Sequence, residues 1–198
     1  MARITISGGK IESDGQETIL EASARAGIRI PTLCHDPRFG AIGSCRLCCV
    51  EIEDESHPQI ACHTPVRDGM RIATHTPSIE EFRVTLLEWE AEKVRPSDFA
   101  DEPDKELHRL LRAYGVRPNA KGRREKRVDL SHPHIRVDMT QCISCLRCVR
   151  ICEDVQGQFV WHVLDRGTDM YIVPDSGTTL GASSCVGCGA CVDTVRRA

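Results

Sequence analysis

The spacing of the cysteines constrains this chain more than any other feature. Twelve of its 198 residues are cysteine, and eleven of them fall into three sets. Cys34, Cys45, Cys48 and Cys62 read C-x10-C-x2-C-x13-C, Cys142, Cys145, Cys148 and Cys152 read C-x2-C-x2-C-x3-C, and Cys185, Cys188 and Cys191 read C-x2-C-x2-C. A two-residue gap lets neighbouring thiolates converge on adjacent irons while the backbone N–H groups between them turn toward inorganic sulfide, so these intervals suit iron–sulfur clusters. The chemistry to expect is one-electron transfer. Structural zinc is the competing reading, because C-x2-C pairs also build zinc knuckles. Zinc sites draw on two such pairs, however, and rarely on a triple that supplies three corners of a cube. A disulfide scaffold fits poorly with 28% charged residues and with a stretch after Met1 that shows neither an apolar h-region nor a twin-arginine leader. A cytoplasmic location is expected. Cys49, the twelfth cysteine, adjoins Cys48 and continues into Val50-Glu51-Ile52, which suits a buried structural thiol.

Composition narrows the remaining possibilities. Aromatic residues make up only 4%, so metal–ligand bonds are expected to supply part of the cohesion that a large core would otherwise give. A net charge of −3 argues against a general nucleic-acid binder, although the charge is unevenly placed. Glu88 to Glu106 is mostly acidic, whereas Arg117, Lys121, Arg123, Arg124, Lys126 and Arg127 form a basic run. Both read as solvated surface or as docking surface for partner subunits, with zinc-dependent nucleic-acid binding through the basic run as a minor alternative. No apolar stretch approaches the ~20 residues needed to cross a bilayer. There is no G-x-G-x-x-G after a strand and no P-loop, so no substrate or NAD site is expected in this chain. His57, His63, His75, His108, His132, His134 and His162 are scattered without a nucleophile context, while His35, beside Cys34, is a candidate donor tuning the first cluster.

Local patterns place these motifs on elements. Ile4 and Ile6 alternate with polar neighbours, Gly8-Gly9 can turn, Lys10 to Glu12 returns, and Asp14-Gly15 turns again, which reads as a hairpin. Thr18 with Glu21 fits a capping box ahead of a helix over Ile19 to Ala26, with Gly27 to end it. Gly40, Gly43 and Ser44 leave room for backbone to approach a cluster, and Val50 to Glu53, Gln59 to Cys62 and Met70 to Thr74 read as short strands. Ile79, Phe82, Leu86 and Trp89 recur at helical spacing, Pro96 breaks the pattern, and Leu107, Leu110, Leu111 and Tyr114 restart it. Two amphipathic helices packed through those residues are expected.

Ile30-Pro31-Thr32-Leu33-Cys34, Gly43-Ser44-Cys45-Arg46-Leu47-Cys48, Ala61-Cys62 with Thr64-Pro65-Val66, and Asp68-Gly69-Met70 resemble the N-terminal domain of a known iron–sulfur subunit family. It comprises the large iron–sulfur subunit of NADH dehydrogenase, the N-terminal part of NAD-linked formate dehydrogenase alpha subunits, and the small diaphorase subunit of NAD-reducing hydrogenases. The resemblance implies a β-grasp domain with a [2Fe-2S] cluster on Cys34, Cys45, Cys48 and Cys62. In the family the next segment carries a [4Fe-4S] cluster held by one His and three Cys. Here Glu92, Pro96, Phe99 and Lys105 fall at those positions and no cysteine lies between Cys62 and Cys142, so that cluster is not expected.

From His134 onward, Cys142 to Glu153 and Ser184 to Asp193 resemble the two halves of the family's two-cluster ferredoxin module. In such modules the fourth cysteine of each motif ligates the other motif's cluster, which implies a [4Fe-4S] cluster on Cys152, Cys185, Cys188 and Cys191. By the same rule Cys142, Cys145 and Cys148 need a sulfur at position 195, where Val195 stands. A second, incompletely Cys-ligated [4Fe-4S] or a [3Fe-4S] cluster is expected there. The fold class is thus α+β: a [2Fe-2S] β-grasp domain over 1–77, a helical spacer over 78–116, a basic linker over 117–134 and a bacterial-ferredoxin-like domain over 135–198. The resemblance implies an electron-relay subunit of a multi-subunit NAD(P)-linked oxidoreductase, with a flavin-bearing NADH subunit on one side and a hydrogenase or formate dehydrogenase catalytic subunit on the other. The hydrogenase diaphorase type is favoured, the formate dehydrogenase and NADH dehydrogenase types follow, and a non-catalytic redox sensor or adapter is the alternative class.

Overall fold

Alternating Ile4 and Ile6, both buried, draw the first strand onto a core, and the turn at Ser7 and Gly8 sends the chain straight back along it. The computed structural model describes residues 1–119 and 128–195, so Lys121, Arg123, Arg124, Lys126 and Arg127 of the basic run lie outside the described residues. The chain divides into two compact units, residues 1–35 with 40–87, and residues 36–39 with 88 onward.

In the first unit β1 (Ala2–Ile6) pairs antiparallel with β2 (Gly9–Ser13), Ile4 facing Ile11. Next comes α1 (Ile19–Arg25), then β3 (Cys49–Ile52), β4 (Gln59–Ile60) and β5 (Arg71–Ala73). The sheet order is β2-β1-β5-β3-β4, with β1 and β5 parallel. The capping box at α1 is complete: Glu21 N–H donates to Thr18 Oγ1 at 3.3 Å, and Thr18 N–H to Glu21 Oε2 at 2.7 Å. Ile19 and Ala22 of α1 pack with Ile4, Ile6, Val50 and Ile72 of the sheet, so one helix is held against one face.

The helix α2 (Pro77–Ala91) corrects the packing read from periodicity. Its inward stripe is Ile79, Arg83 and Leu87, with Ala91 continuing the spacing of four, while Phe82 and Trp89 are 42% and 63% exposed. Leu86 is half-buried. The face is chosen by the hydrogen bonds of buried Arg83, and a hydrophobicity pattern does not register those bonds.

In the second unit Pro96 opens a helix. It occupies the first turn of α3 (Pro96–Asp101), where its missing N–H costs nothing, so this segment holds three helices where two were expected. The third, α4 (Glu106–Ala113), buries Leu107, His108 and Leu111, and leaves Leu110 half-buried. A short pair, β6 (Val128–Asp129) and β7 (Val137–Asp138), leads into α5 (Arg147–Arg150), which continues as a π-helical turn over Ile151–Val155. The hairpin β8 (Trp161–Leu164) and β9 (Tyr171–Pro174) precedes α6 (Ala190–Val195). Ile135, Cys152, Val160, Trp161, Ile172 and Leu180 form the core of this module. Among the described residues no helix is long and apolar enough to cross a membrane.

Candidate metal centres

In the first unit Cys34 and Cys45 lie in the long loop between α1 and β3, Cys48 immediately precedes β3, and Cys62 lies two residues beyond β4. Cys34, Cys48 and Cys62 are buried and Cys45 is half-buried. Positive φ at Gly40, Gly43 and Arg46 coils the loop so that amides face the thiols. Leu33 N–H donates to Cys45 Sγ at 3.4 Å, and Cys45 N–H to Cys34 Sγ at 3.5 Å. The Cys34 thiol meets that of Cys45, and the Cys48 thiol meets that of Cys62. The Cys45 thiol, helped by the N–H groups of Cys45, Ser44 and Gly43, lowers Cys34 to about 6. Cys62 is lowered chiefly by the Cys48 thiol, with the Gly43 N–H again contributing. Cys45 and Cys48 are pushed up by the same partners and by burial. Iron binds thiolates, so a loop that already supplies N–H groups to sulfur charge fits a tetrathiolate cluster. Cys49 is buried, and desolvation raises its thiol.

The second unit repeats one loop geometry twice. Ser144 N–H donates to Cys142 Sγ and Gly187 N–H to Cys185 Sγ, both at 3.4 Å. Ser144 and Leu146 have φ of 57° and 65°, and their counterparts Gly187 and Gly189 have 70° and 75°. Each loop then enters a helix carrying its third cysteine, Cys148 in α5 and Cys191 in α6. Cys152 sits in the π-helical turn, an irregularity frequent at functional sites. Burial raises Cys191, its contact with Trp161 works against that, and the charges of Cys185, Cys152 and Cys188 add to the effect of burial. Burial likewise raises Cys148, and it feels Cys145, Cys142 and Cys191. Val195 ends α6 at 44% exposure and offers no donor atom.

Two arginines escaped the sequence reading. Arg147, between Cys145 and Cys148, is buried and pairs with Glu106 of α4 at 2.9 Å. Arg83 is buried against the first loop. At the positions aligned with the family's His/Cys cluster, Lys105 pairs with Glu102 at 2.7 Å and Phe99 lies 4.1 Å beneath the Arg112 guanidinium. Among the described residues no three His, Cys, Asp or Glu side chains meet where one metal ion could be held. A polynuclear cluster spreads its thiolates over several irons and does not require that convergence.

The fold and these thiol sets define the class: an iron–sulfur protein of the ferredoxin-like kind. Residues 1–77 match the 2Fe-2S iron-sulfur cluster binding domain, and residues 132–184 match the ferredoxin-like domain of NADH-quinone oxidoreductase subunit 3. The chain is 36% identical to an NADH-quinone oxidoreductase subunit of Rhizobium meliloti over 98% of its length, and 33% identical to the NADPH-Fe(3+) oxidoreductase subunit alpha of Geobacter sulfurreducens over 97%. It is 33% identical to the NADH-ubiquinone oxidoreductase 75 kDa subunit of Reclinomonas americana over 87%. It spans about a quarter of these relatives' length, 23%, 23% and 26%. A crystal structure of NAD+-reducing [NiFe]-hydrogenase in the H2-reduced state contains a chain that superposes with a TM-score of 0.81 at 29% identity, covering 93% of this chain and 80% of that one. The chain thus joins a match to the 2Fe-2S iron-sulfur cluster binding domain with a match to the ferredoxin-like domain of NADH-quinone oxidoreductase subunit 3, and is similar over its length to about a quarter of such oxidoreductase subunits.

Proposed function

We propose that this chain is the electron-relay part of a multi-subunit NAD(P)-linked oxidoreductase. Cys34, Cys45, Cys48 and Cys62 hold a [2Fe-2S] cluster, and Cys152, Cys185, Cys188 and Cys191 hold a [4Fe-4S] cluster. Cys142, Cys145 and Cys148 hold a second cluster of the ferredoxin module, three-iron or completed by a ligand other than position 195. When bound, these groups supply one-electron redox chemistry. The chain's own residues supply thiolates, N–H groups that stabilise charge on sulfur, and apolar walls that keep water from the first site. The observation that carries this reading is the loop whose amides turn toward the thiols, Leu33 N–H on Cys45 Sγ and Cys45 N–H on Cys34 Sγ, in a domain matched to 2Fe-2S binding.

A flavin-bearing NADH subunit and a hydrogenase catalytic subunit are the proposed partners. The likeness to a chain of NAD+-reducing hydrogenase supports that choice, and a formate dehydrogenase subunit is the alternative. Replacing Cys45 by Ser in the reconstituted chain is expected to abolish the reduced [2Fe-2S] paramagnetic signal and leave the C-terminal signals intact. Persistence of that signal on three cysteines defeats the assignment. Mixing the protein with a flavin-bearing NADH subunit and a dye tests the relay, because a redox sensor or adapter would not accelerate dye reduction.

A further inference from the structure

Arg83 is fully buried in α2, a setting in which a guanidinium without partners carries a heavy desolvation cost. Its fork offsets that cost by gripping backbone. Nε donates to the Leu47 carbonyl at 3.0 Å, and Nη2 to the Cys49 carbonyl at 2.9 Å. These two carbonyls flank Cys48, so the guanidinium holds the chain on both sides of one thiol. On its other edge Nη1 donates to Glu80 Oε1 at 2.7 Å and meets His75 Nδ1 at 3.3 Å. The Glu80 side chain is 36% exposed, so solvent screens its charge, whereas Arg83 is shielded from solvent.

We propose that Arg83 is a positioning residue for the [2Fe-2S] centre, which fixes the backbone around Cys48 and raises the potential at which that centre accepts its electron. The inference rests on the ligand set proposed above. Reduction adds one negative charge to the site, and a fixed cation in a low-dielectric interior favours the more negative state. Two carbonyls alone call for neutral donors; the guanidinium satisfies both and brings a permanent charge with them.

The test is a potentiometric titration of the reconstituted full chain, followed by the paramagnetic signal of the reduced [2Fe-2S] cluster. Arg83→Met is expected to lower the reduced-to-oxidised ratio at a given potential by about tenfold, a fall of 59 mV for one electron. Glu80→Gln keeps the fork and removes the opposing charge, so its midpoint is expected to rise. Opposite shifts in the two variants identify a charge effect, since loosened packing would not raise one midpoint and lower the other. If Arg83→Met loses the cluster, Arg83→Gln, which keeps neutral N–H donors for the carbonyls without the charge, takes its place and is expected to lower the midpoint. A midpoint that is unmoved or higher in the cluster-bearing Arg83 variant overturns the proposal, as does a fall in the midpoint of Glu80→Gln. Absence of any [2Fe-2S] signal in the parent protein defeats the ligand assignment itself, a result distinct from unmoved potentials.

Discussion

Arg46, Ser144 and Leu146 each hold a left-handed backbone next to a cysteine assigned to a cluster. For an L-residue that conformation costs roughly 1–2 kcal/mol, and each loop tolerates it because the twist turns amides toward sulfur. Arg46 is exposed, so its backbone preference can be tested without disturbing a core. Arg46→Val is expected to destabilise the reconstituted chain by about 1–2 kcal/mol in chemical denaturation, because a β-branched residue is a poor fit at positive φ. Arg46→Gly is expected to change stability by no more than about 0.5 kcal/mol, strain relief being offset by greater freedom in the unfolded chain. Cys49 offers a different control. Its buried thiol lies outside the ligand set, so Cys49→Ala is expected to retain the [2Fe-2S] signal that Cys48→Ala removes.

Among the elements, the segment that opens the C-terminal module is held by tight backbone contacts. A Cβ on Gly181 would lie 2.4 Å from the Ser131 carbonyl oxygen, and the neighbouring Leu180 N–H donates to Asp129 at 2.6 Å. Gly181→Ala is therefore expected to cost about 1–3 kcal/mol, the usual range for forced overpacking, and to lower the melting temperature of that module. The Asp129 carboxyl is held below the usual carboxylate range by the Leu180 N–H first, then by the Ser131 hydroxyl and N–H. In the interval between its lowered folded value and its ordinary unfolded one, the unfolded chain binds more protons. Its contribution to stability is thus present above the ordinary range and is lost as pH falls through the folded value. Asp129→Asn is expected to flatten that part of the stability profile between acid and neutral pH, measured by thermal melts.

For the molecule as a whole, the proposed ligands reach into the hydrophobic core of each unit. Cys48 and Cys62 belong to the N-terminal core and Cys152 to the C-terminal one, so the ligand bonds and the hydrophobic contacts support the same packing. Removing iron with a chelator under reducing conditions is expected to unfold the C-terminal module, with loss of its circular dichroism, because site formation and folding are coupled there. Val195→Cys is expected to supply the missing fourth thiolate for Cys142, Cys145 and Cys148, raising iron per chain and resistance of that cluster to oxygen. Unchanged iron content and lability in the variant would mean that another donor already completes the site.

The sequence by itself determined the hairpin of β1 and β2 and the capping box of α1, because each depends on residues a few positions apart. The loop glycines were legible for the same reason, yet the left-handed turns at Ser144 and Leu146 were not, since neither residue favours that backbone and only the matching Gly187 and Gly189 reveal the pattern. Pro96 was misread as a break because the same ring that ends a helix also begins one, and only the chain before it distinguishes the two. Tertiary structure alone decided which face of α2 turns inward. Arg83 finds its carbonyl partners 36 and 34 residues away, and Arg147 meets Glu106 of another helix, so their burial follows from bonds between distant segments. A pattern of hydrophobicity records which side chains avoid water; it does not record which charged ones have partners waiting inside.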